Sequence, residues 1–388
     1  MHTMDGLNKD IHDGHVQIHV FILETQRNMK STLLLVCSLC LTALSCLAQR
    51  MDDKTTHSQY IQAVDEYCPA PGQFINTMPK YEAGDNAQTM AAKCTELLKD
   101  NNKGMVCLGA WGGYITFHFD HSIANIAGQR DLYLMGNATQ ADLSTTPGGS
   151  SEPGIVMVSQ DINGNGIPDD PWYEISGSGD RDSTDKMIYG YEVTYTNKSM
   201  QDTPWTDNMG NSGIVPRNAF HSQEYFPQWI QSPMKLHGTR LPNNGVNEGK
   251  DEPYWVLRFY DYGYVDNKPN KDTLSCSIDF GWAVHPVTRQ PAEIEFVDFI
   301  RVYTGMQQVC GWLGETSTEF IGAEDLHLTA SIDAIKKAIT TGIITINMND
   351  RLSGNEYYTL DGRRILTPQR GINIIRRADG TTRKVIIN

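Results

Sequence analysis

The sequence predicts a mostly β protein: an antiparallel β-sandwich over residues 68–328, then a small β-rich module over residues 351–388. Three observations carry this. Runs that alternate apolar and polar residues, or that are rich in aromatic and β-branched residues, recur along the chain. Clusters of Gly, Asn, Asp and Pro separate them, which is where turns form. Only one early stretch, Ala87–Lys99, has helical composition.

Taken in order, the expected strands are Tyr114–Phe119, Asp131–Met135, Ile155–Gln160, Trp172–Ile175, Tyr191–Tyr195, Tyr254–Tyr260, Ser277–Trp282 and Glu295–Tyr303. Tyr114–Phe119 alternates cleanly, as a strand with one buried face does. Ile155-Val-Met-Val158 is continuously apolar, as a strand buried on both faces is. Residues 49–66 read as a polar lead and residues 196–250 as a long irregular insert; loops of that length are often functional. Residues 329–350 read as a linker, with a short helix over Ile332–Ile339. In the last segment Tyr357–Leu360, Gly371–Ile375 and Thr382–Ile387 read as strands, with hairpin dipeptides at Asp361-Gly362 and Asp379-Gly380.

Composition narrows the function classes. The formal charge is −14, from 46 acidic and 32 basic residues, and no Lys/Arg stripe is present to track phosphates. A nucleic-acid partner is therefore not expected. Residues 29–48 carry a Lys, an apolar core and small residues, the order of a secretory signal peptide. The apolar core is too short for a transmembrane segment. Residues 1–28 are polar and are read as a misassigned start. Cleavage is expected after Ala48, with lipidation at Cys46 the alternative. Beyond residue 48 five cysteines remain, Cys68, Cys94, Cys107, Cys276 and Cys310. Export permits disulfides, and Cys68 with Cys310 is a possible staple. No Cys-x-x-Cys pair remains, so zinc is not expected.

The densest motif is Asp161-Ile-Asn-Gly-Asn-Gly-Ile-Pro-Asp-Asp170. Oxygen-bearing side chains at Asp161, Asn163, Asn165 and Asp169, with the Ile167 carbonyl, are a hard-cation pattern. The expected cofactor is structural Ca²⁺, with Asp170 or Glu174 completing the shell. Position 12 of the loop is Trp172, so this is not an EF-hand. The competing reading is an Asn/Gly-rich turn without metal.

Three stretches carry a resemblance. They are Gly109–Asp120 with Asp131–Asn137; Ser151–Asp161 through Trp172–Glu174; and Phe299–Thr304 running into Cys310–Glu319. Over roughly Cys68–Leu328 they resemble an uncharacterised family of Bacteroidetes cell-surface proteins. The first two also follow the order of discoidin-like, galactose-binding jelly rolls. That likeness implies a jelly-roll-like sandwich and a glycan or small nutrient ligand. The terminal segment Tyr357–Ile365, with Arg370–Ile374 and Lys384–Ile387, is similar to type IX secretion sorting tails, which implies the secretion machinery as a partner.

The expected function is a secreted or surface-displayed, non-enzymatic binding protein. Aromatic faces stack on sugar rings or flat macrocycles. The candidate ligand residues are Trp205, Tyr225, Trp229, Arg258, Tyr262, Tyr264 and Asp266. Two alternatives are a cobamide-binding accessory protein and a glycoside hydrolase. The hydrolase would use a carboxylate pair such as Asp261/Asp266 or Asp279/Glu295. His118, His121, His221, His237 and His285 lack metal-ligand spacing, and no Gly-x-Ser-x-Gly elbow occurs.

Overall fold

The computed structural model describes residues 57–331, except 143 and 183–185, and the backbone of four C-terminal strands between 356 and 387. The signal peptide, Cys46, the helix over 332–339 and the hairpin turns at 361–362 and 379–380 lie outside the described residues.

Eighteen strands run through the main body. They are β1 Ala63–Cys68, β2 Val106–Cys107, β3 Tyr114–Ala124, β4 Leu132–Gly136, β5 Gly148–Gly149, β6 Gly154–Ser159, β7 Trp172–Ile175, β8 Ile188–Tyr195 and β9 Thr203–Asp207. There follow β10 Ser212–Val215, β11 Met234–Arg240, β12 Gly245–Asn247, β13 Trp255–Arg258, β14 Tyr264–Val265, β15 Ser277–Ile278, β16 Ala283–Val284, β17 Phe296–Thr304 and β18 Glu319–Asp325. A seven-stranded antiparallel sheet, β1-β3-β17-β6-β7-β16 with β14 also on β6, faces a four-stranded sheet, β15-β4-β18-β2.

The apolar residues of both sheets meet in one core. Ile115, Phe117, Val156, Val158, Ile300 and Val302 come from the large sheet, and Leu132, Leu134, Phe320 and Ala323 from the small one. Each such buried side chain stabilises the fold by roughly 1.5–3 kcal/mol relative to exposure. The arrangement is the β-sandwich the sequence predicts. β6 turns Val156 and Val158 to this core and Ile155 and Met157 to a second cluster with Leu241, Tyr264 and Tyr303, which explains why its apolar run is unbroken.

Helix α1, Ala87–Leu98, closes one side of this core with Met90, Ala91, Cys94 and Leu98. Its start is fixed by a capping box: Asn86 accepts the Thr89 N–H, and the Thr89 hydroxyl returns to Asn86. Just upstream of β3 the chain passes so close to another segment that a Cβ on Gly113 would lie 1.9 Å from the Leu108 carbonyl oxygen. The glycines there serve close backbone packing, as expected from their place before a strand.

Three expectations are corrected. Residues 63–68 are not a polar lead but an edge strand, and Glu319–Asp325 is an unforeseen strand of the small sheet. Both carry a register shift, at Val64/Glu66 and at Phe320/Gly322. A bulge breaks the two-residue period that marks a strand in sequence. The insert is also not irregular throughout: β9, β10 and β11 join β8 in a four-stranded sheet ordered β10-β9-β8-β11. That sheet has its own core around Trp111, Tyr191, Tyr195 and Tyr225. Lastly, Cys68 and Cys310 are not bridged: all five cysteines of residues 57–331 are free thiols.

The C-terminal strands β19 Glu356–Thr359, β20 Arg364–Ile365, β21 Gly371–Arg376 and β22 Thr382–Ile387 form an antiparallel sheet of order β20-β19-β21-β22. Pairing of Tyr358 with Arg364 and of Arg376 with Thr382 flanks the two predicted hairpin dipeptides. No helix among the described residues is long and apolar enough to cross a membrane.

Candidate functional site

A cavity of about 590 Å³ opens at one end of the sandwich, within the usual size range of small-molecule sites. Its wall includes Trp255 and Leu257 of β13, which belongs to a three-stranded sheet β12-β13-β5. Its rim carries Trp312 and Phe220, which are 59% and 79% exposed. Apolar side chains exposed together at the mouth of a groove mark a candidate contact surface, whereas single exposed ones do not.

The rim is held by polar ties between distant segments. The Asn218 side-chain amide donates to the Gln73 side-chain oxygen at 3.1 Å and to the Trp312 carbonyl at 3.2 Å. The Gln73 amide donates to the Leu313 carbonyl at 2.8 Å. Phe74 and His221 pack edge to face with centroids 4.6 Å apart. Loop 216–221 and segment 310–316 are thus one continuous lip.

Carboxyls line the floor. Glu152 precedes β6, Glu319 opens β18, and Asp266 follows β14 in a left-handed backbone conformation, φ 55°. One oxygen from each lies within 4.8 Å of the other two. Glu152, Glu319 and a further carboxyl, Glu315, line the cavity, and Asp266 joins the cluster without lining it. Glu315 and Glu319 are each only 3% exposed. Burial pushes both carboxyls up to about 8, the neighbouring Asp266 adding to the effect on Glu319. Burial also holds Glu152 and Asp266 well above the ordinary carboxylate range. No Lys or Arg ion pair reaches these four among the described residues.

The backbone supplies part of the compensation. Asp266 accepts the N–H groups of Asn137, Ala138 and Glu319 at 2.7, 2.8 and 2.9 Å. Glu152 accepts the Ser317 N–H at 3.0 Å, and Glu315 the Gln73 N–H at 2.6 Å. Gly136 leaves room for this packing, since a Cβ there would lie 2.4 Å from an Asp266 oxygen. Even so, Glu319 Oε1, Glu315 Oε2 and Asn137 Oδ1 have no hydrogen-bond donor in the protein.

The Asp161 loop connects β6 to β7, as predicted, with Ser159 opposite Trp172. Its four side chains do converge. Asp161 accepts the N–H groups of Asn165 and Gly166 at 3.0 and 2.8 Å. Asp169 receives the side-chain amides of Asn163 and Asn165 at 3.0 and 3.1 Å. Gly164 and Gly166 take φ near +70°, which lets the chain wrap so tightly. The Ile167 carbonyl accepts the Asp169 N–H at 2.8 Å. By residue type these are hard-cation ligands, but here the Asn163 and Asn165 side-chain oxygens accept the Asn165 and Ile167 N–H groups at 2.9 and 2.7 Å, so the loop satisfies its own polar groups. Asp170 closes the loop by accepting the N–H groups of Ile162 and Asn163. Glu174 is not part of it: it is buried elsewhere against Arg289 at 2.6 Å and the Thr239 hydroxyl at 2.7 Å.

None of the seven predicted ligand residues lines the cavity; only Asp266 belongs to the carboxyl cluster beside it. Tyr225 and Tyr264 are core residues, fully buried or nearly so. Trp229 is half-buried and stacks on Tyr67 and Tyr81. Trp205 pairs with Tyr195 across two strands of the insert sheet. Tyr262 lies against Trp282, and Arg258 is exposed on β13. The carboxyl pairs also separate: Asp261 meets Arg181 at the surface, whereas Asp266 is buried. Asp279 caps a turn through the Gly281 N–H. Among the histidines, His118 pairs with Asp65, and both ring nitrogens of His121 are taken by Asp120 and Asp325 at 2.6 and 2.8 Å. His57, Asp120 and His121 bring one ligand atom each within 4.8 Å, but both His121 ring nitrogens are engaged by carboxylates there. Only His221 of the five lines the cavity.

Sequence reasoning missed Trp312, Glu152, Glu315 and Glu319 as site residues. Glu152 and Glu315–Glu319 stood inside the stretches that carried the resemblance, which was the available signal. No family model and no curated protein matches the chain.

Proposed function

We propose that the chain is a non-enzymatic, exported surface protein that binds a glycan or small nutrient in the cavity walled by Trp255. The observation that carries this reading is the pair of exposed aromatics, Trp312 and Phe220, at the mouth of a polar-floored cavity. Apolar sugar faces stack on such rings, and hydroxyls satisfy acceptors beneath. In this reading residues 29–48 direct export, the 351–388 module acts as a sorting tail, and the resemblance to galactose-binding surface proteins points to a glycan. The Asp161 loop holds a structural Ca²⁺ through Asp161, Asn163, Asn165 and Asp169, rigidifying the β6–β7 connection.

The test is a glycan-array screen, with a cobamide added as the flat-macrocycle competitor, on wild type and Trp312→Ala. A glycan hit weakened about tenfold by Trp312→Ala supports the reading. A cobamide-only hit shifts it to the accessory-protein alternative, and no hit with either class overturns it.

A glycoside hydrolase is the second reading, favoured by the Glu152 and Glu319 carboxyls. Retaining enzymes hold such groups roughly 5–5.5 Å apart around the sugar. Here one oxygen of each lies within 4.8 Å of the other, with Asp266 completing the cluster, a closer spacing that speaks for the binding reading over this one. Turnover of a bound glycan that Glu152→Gln abolishes would establish the hydrolase instead.

A further inference from the structure

We propose that the cavity floor is a divalent-cation site, with Glu152, Glu319 and Asn137 as its direct oxygen ligands and Asp266 as the positioning residue. The proposal is independent of which organic ligand the cavity holds.

The first observation is proximity: oxygens of Glu152, Asp266 and Glu319 within 4.8 Å of one another. The second is the set of vacant acceptors. Asn137 turns its amide nitrogen to Glu319 Oε2 at 3.3 Å, which leaves its own Oδ1 without a donor. Glu319 Oε1 also lacks one. Glu315 Oε2, outside the cluster but on the same cavity lining, is a third vacant acceptor on a side chain only 3% exposed. Each such group is costly if nothing fills it. Native interiors carry few of them, and two at one cluster, Glu319 Oε1 and Asn137 Oδ1, call for a common occupant.

Charge decides what that occupant is. A hydroxyl or water donates a hydrogen bond but leaves three crowded carboxyls uncompensated. No Lys or Arg ion pair offsets them among the described residues. A cation satisfies the vacant oxygens and the charge together. Asp266 is already committed to three backbone N–H groups, two of them at Asn137 and Glu319. It therefore fixes the two ligand-bearing segments instead of donating a ligand. The donor set is all oxygen, which selects Ca²⁺ or Mg²⁺ over zinc. The nearby Cys107 thiol is engaged with the Ser317 hydroxyl at 2.9 Å, and burial keeps it protonated. Irregular ligands on three separate chain segments suit the larger, more flexible Ca²⁺ shell. The competing arrangement is a proton shared between Glu152 and Glu319, which burial also favours.

The experiment uses Ca²⁺ alone by calorimetry and Tb³⁺ alone by luminescence, with Trp255 on the same cavity lining as the antenna. The full mature chain is compared with Glu319→Gln, Glu152→Gln and Asn137→Asp. A loop reference, Asp161→Asn with Asp169→Asn, removes the other candidate ion. Glu319→Gln and Glu152→Gln should each lose one bound ion, or weaken it more than about tenfold, and should lose the sensitised emission. The loop reference should keep that emission. Asn137→Asp adds a carboxylate ligand and should tighten binding. The proposal is overturned if the Gln variants retain the wild-type stoichiometry and emission. It is equally overturned if they melt higher than wild type with Ca²⁺ having no effect on either, which is the signature of a shared proton. If a Gln variant does not fold, Asn137→Asp decides: a folded, tighter-binding protein supports the site, and a protein that Ca²⁺ neither binds nor stabilises refutes it.

Discussion

Trp312 and Trp111 show how little residue type alone says about role. Trp111 is fully buried, edge to face with Tyr191 at 4.7 Å. Trp312 is 59% exposed at the cavity mouth. Trp111→Ala should therefore cost about 3–5 kcal/mol of stability. Trp312→Ala should stay within about 0.5 kcal/mol of wild type while weakening ligand binding about tenfold; denaturant melts and a binding titration on one sample check both. Gly136 offers a sharper test at the same scale. A methyl there meets Asp266 backbone and side-chain atoms at 2.4–2.5 Å, so Gly136→Ala should destabilise by about 1–3 kcal/mol. It should also disturb the carboxyl floor, whereas Gly128→Ala, with open space around its Cβ, should leave the floor intact. Equal loss of ligand or cation binding in both variants would contradict this.

Between elements, the tie through His121 links the two faces of the sandwich. Asp120 and His121 lie on β3 and Asp325 ends β18. Burial opposes a charge on His121, but hydrogen bonds to Asp120 and Asp325 outweigh it and raise its pKa to about 9. The folded state thus binds its proton more tightly than the unfolded state does. The added stability is present in full below about pH 6.5 and is lost as pH rises through about 9. It amounts to on the order of 3 kcal/mol. The stability gap between wild type and His121→Gln should be constant at low pH and narrow between those limits, as followed by urea unfolding. A gap that widens with pH would refute the sign. Elements also explain where the sequence was readable. β3, β4, β7 and β17 announced themselves through alternation or aromatic density, even though the β3–β17 ladder carries a register shift at Val297/Phe299. The bulged strands β1 and β18 lack that density, and one extra residue moves every following side chain to the other face.

At the scale of the whole molecule, the sandwich is held without covalent staples. All five thiols of residues 57–331 are free. Burial pushes Cys68, Cys276 and Cys310 up to about 11, and holds Cys94 and Cys107 well above the ordinary thiol range. Thiolate is the reactive form, so the folded protein should react slowly with iodoacetamide, and its melting temperature should not change with reductant. Five fast-reacting thiols, or a melting temperature that falls on reduction, would contradict this packing. The two-sheet core is large enough to hold the fold without disulfides.

The sequence by itself determined the β class, the order of most strands, the single early helix, and the placing of the Asp161 loop between two paired strands. These are local properties: side-chain period, turn chemistry and oxygen spacing act over a few residues. The site was decided only by tertiary structure. Glu152, Asp266 and Glu319 are separated by more than a hundred residues between the first pair, yet β6, β14 and β18 bring them within 4.8 Å. Trp312 and Phe220 face solvent while Tyr225 and Tyr264 do not. Sequence pattern assigns a residue to a face of its own strand. Which faces meet, and which carboxyls are buried together without a counter-charge, depends on long-range packing of sheets that no local period records.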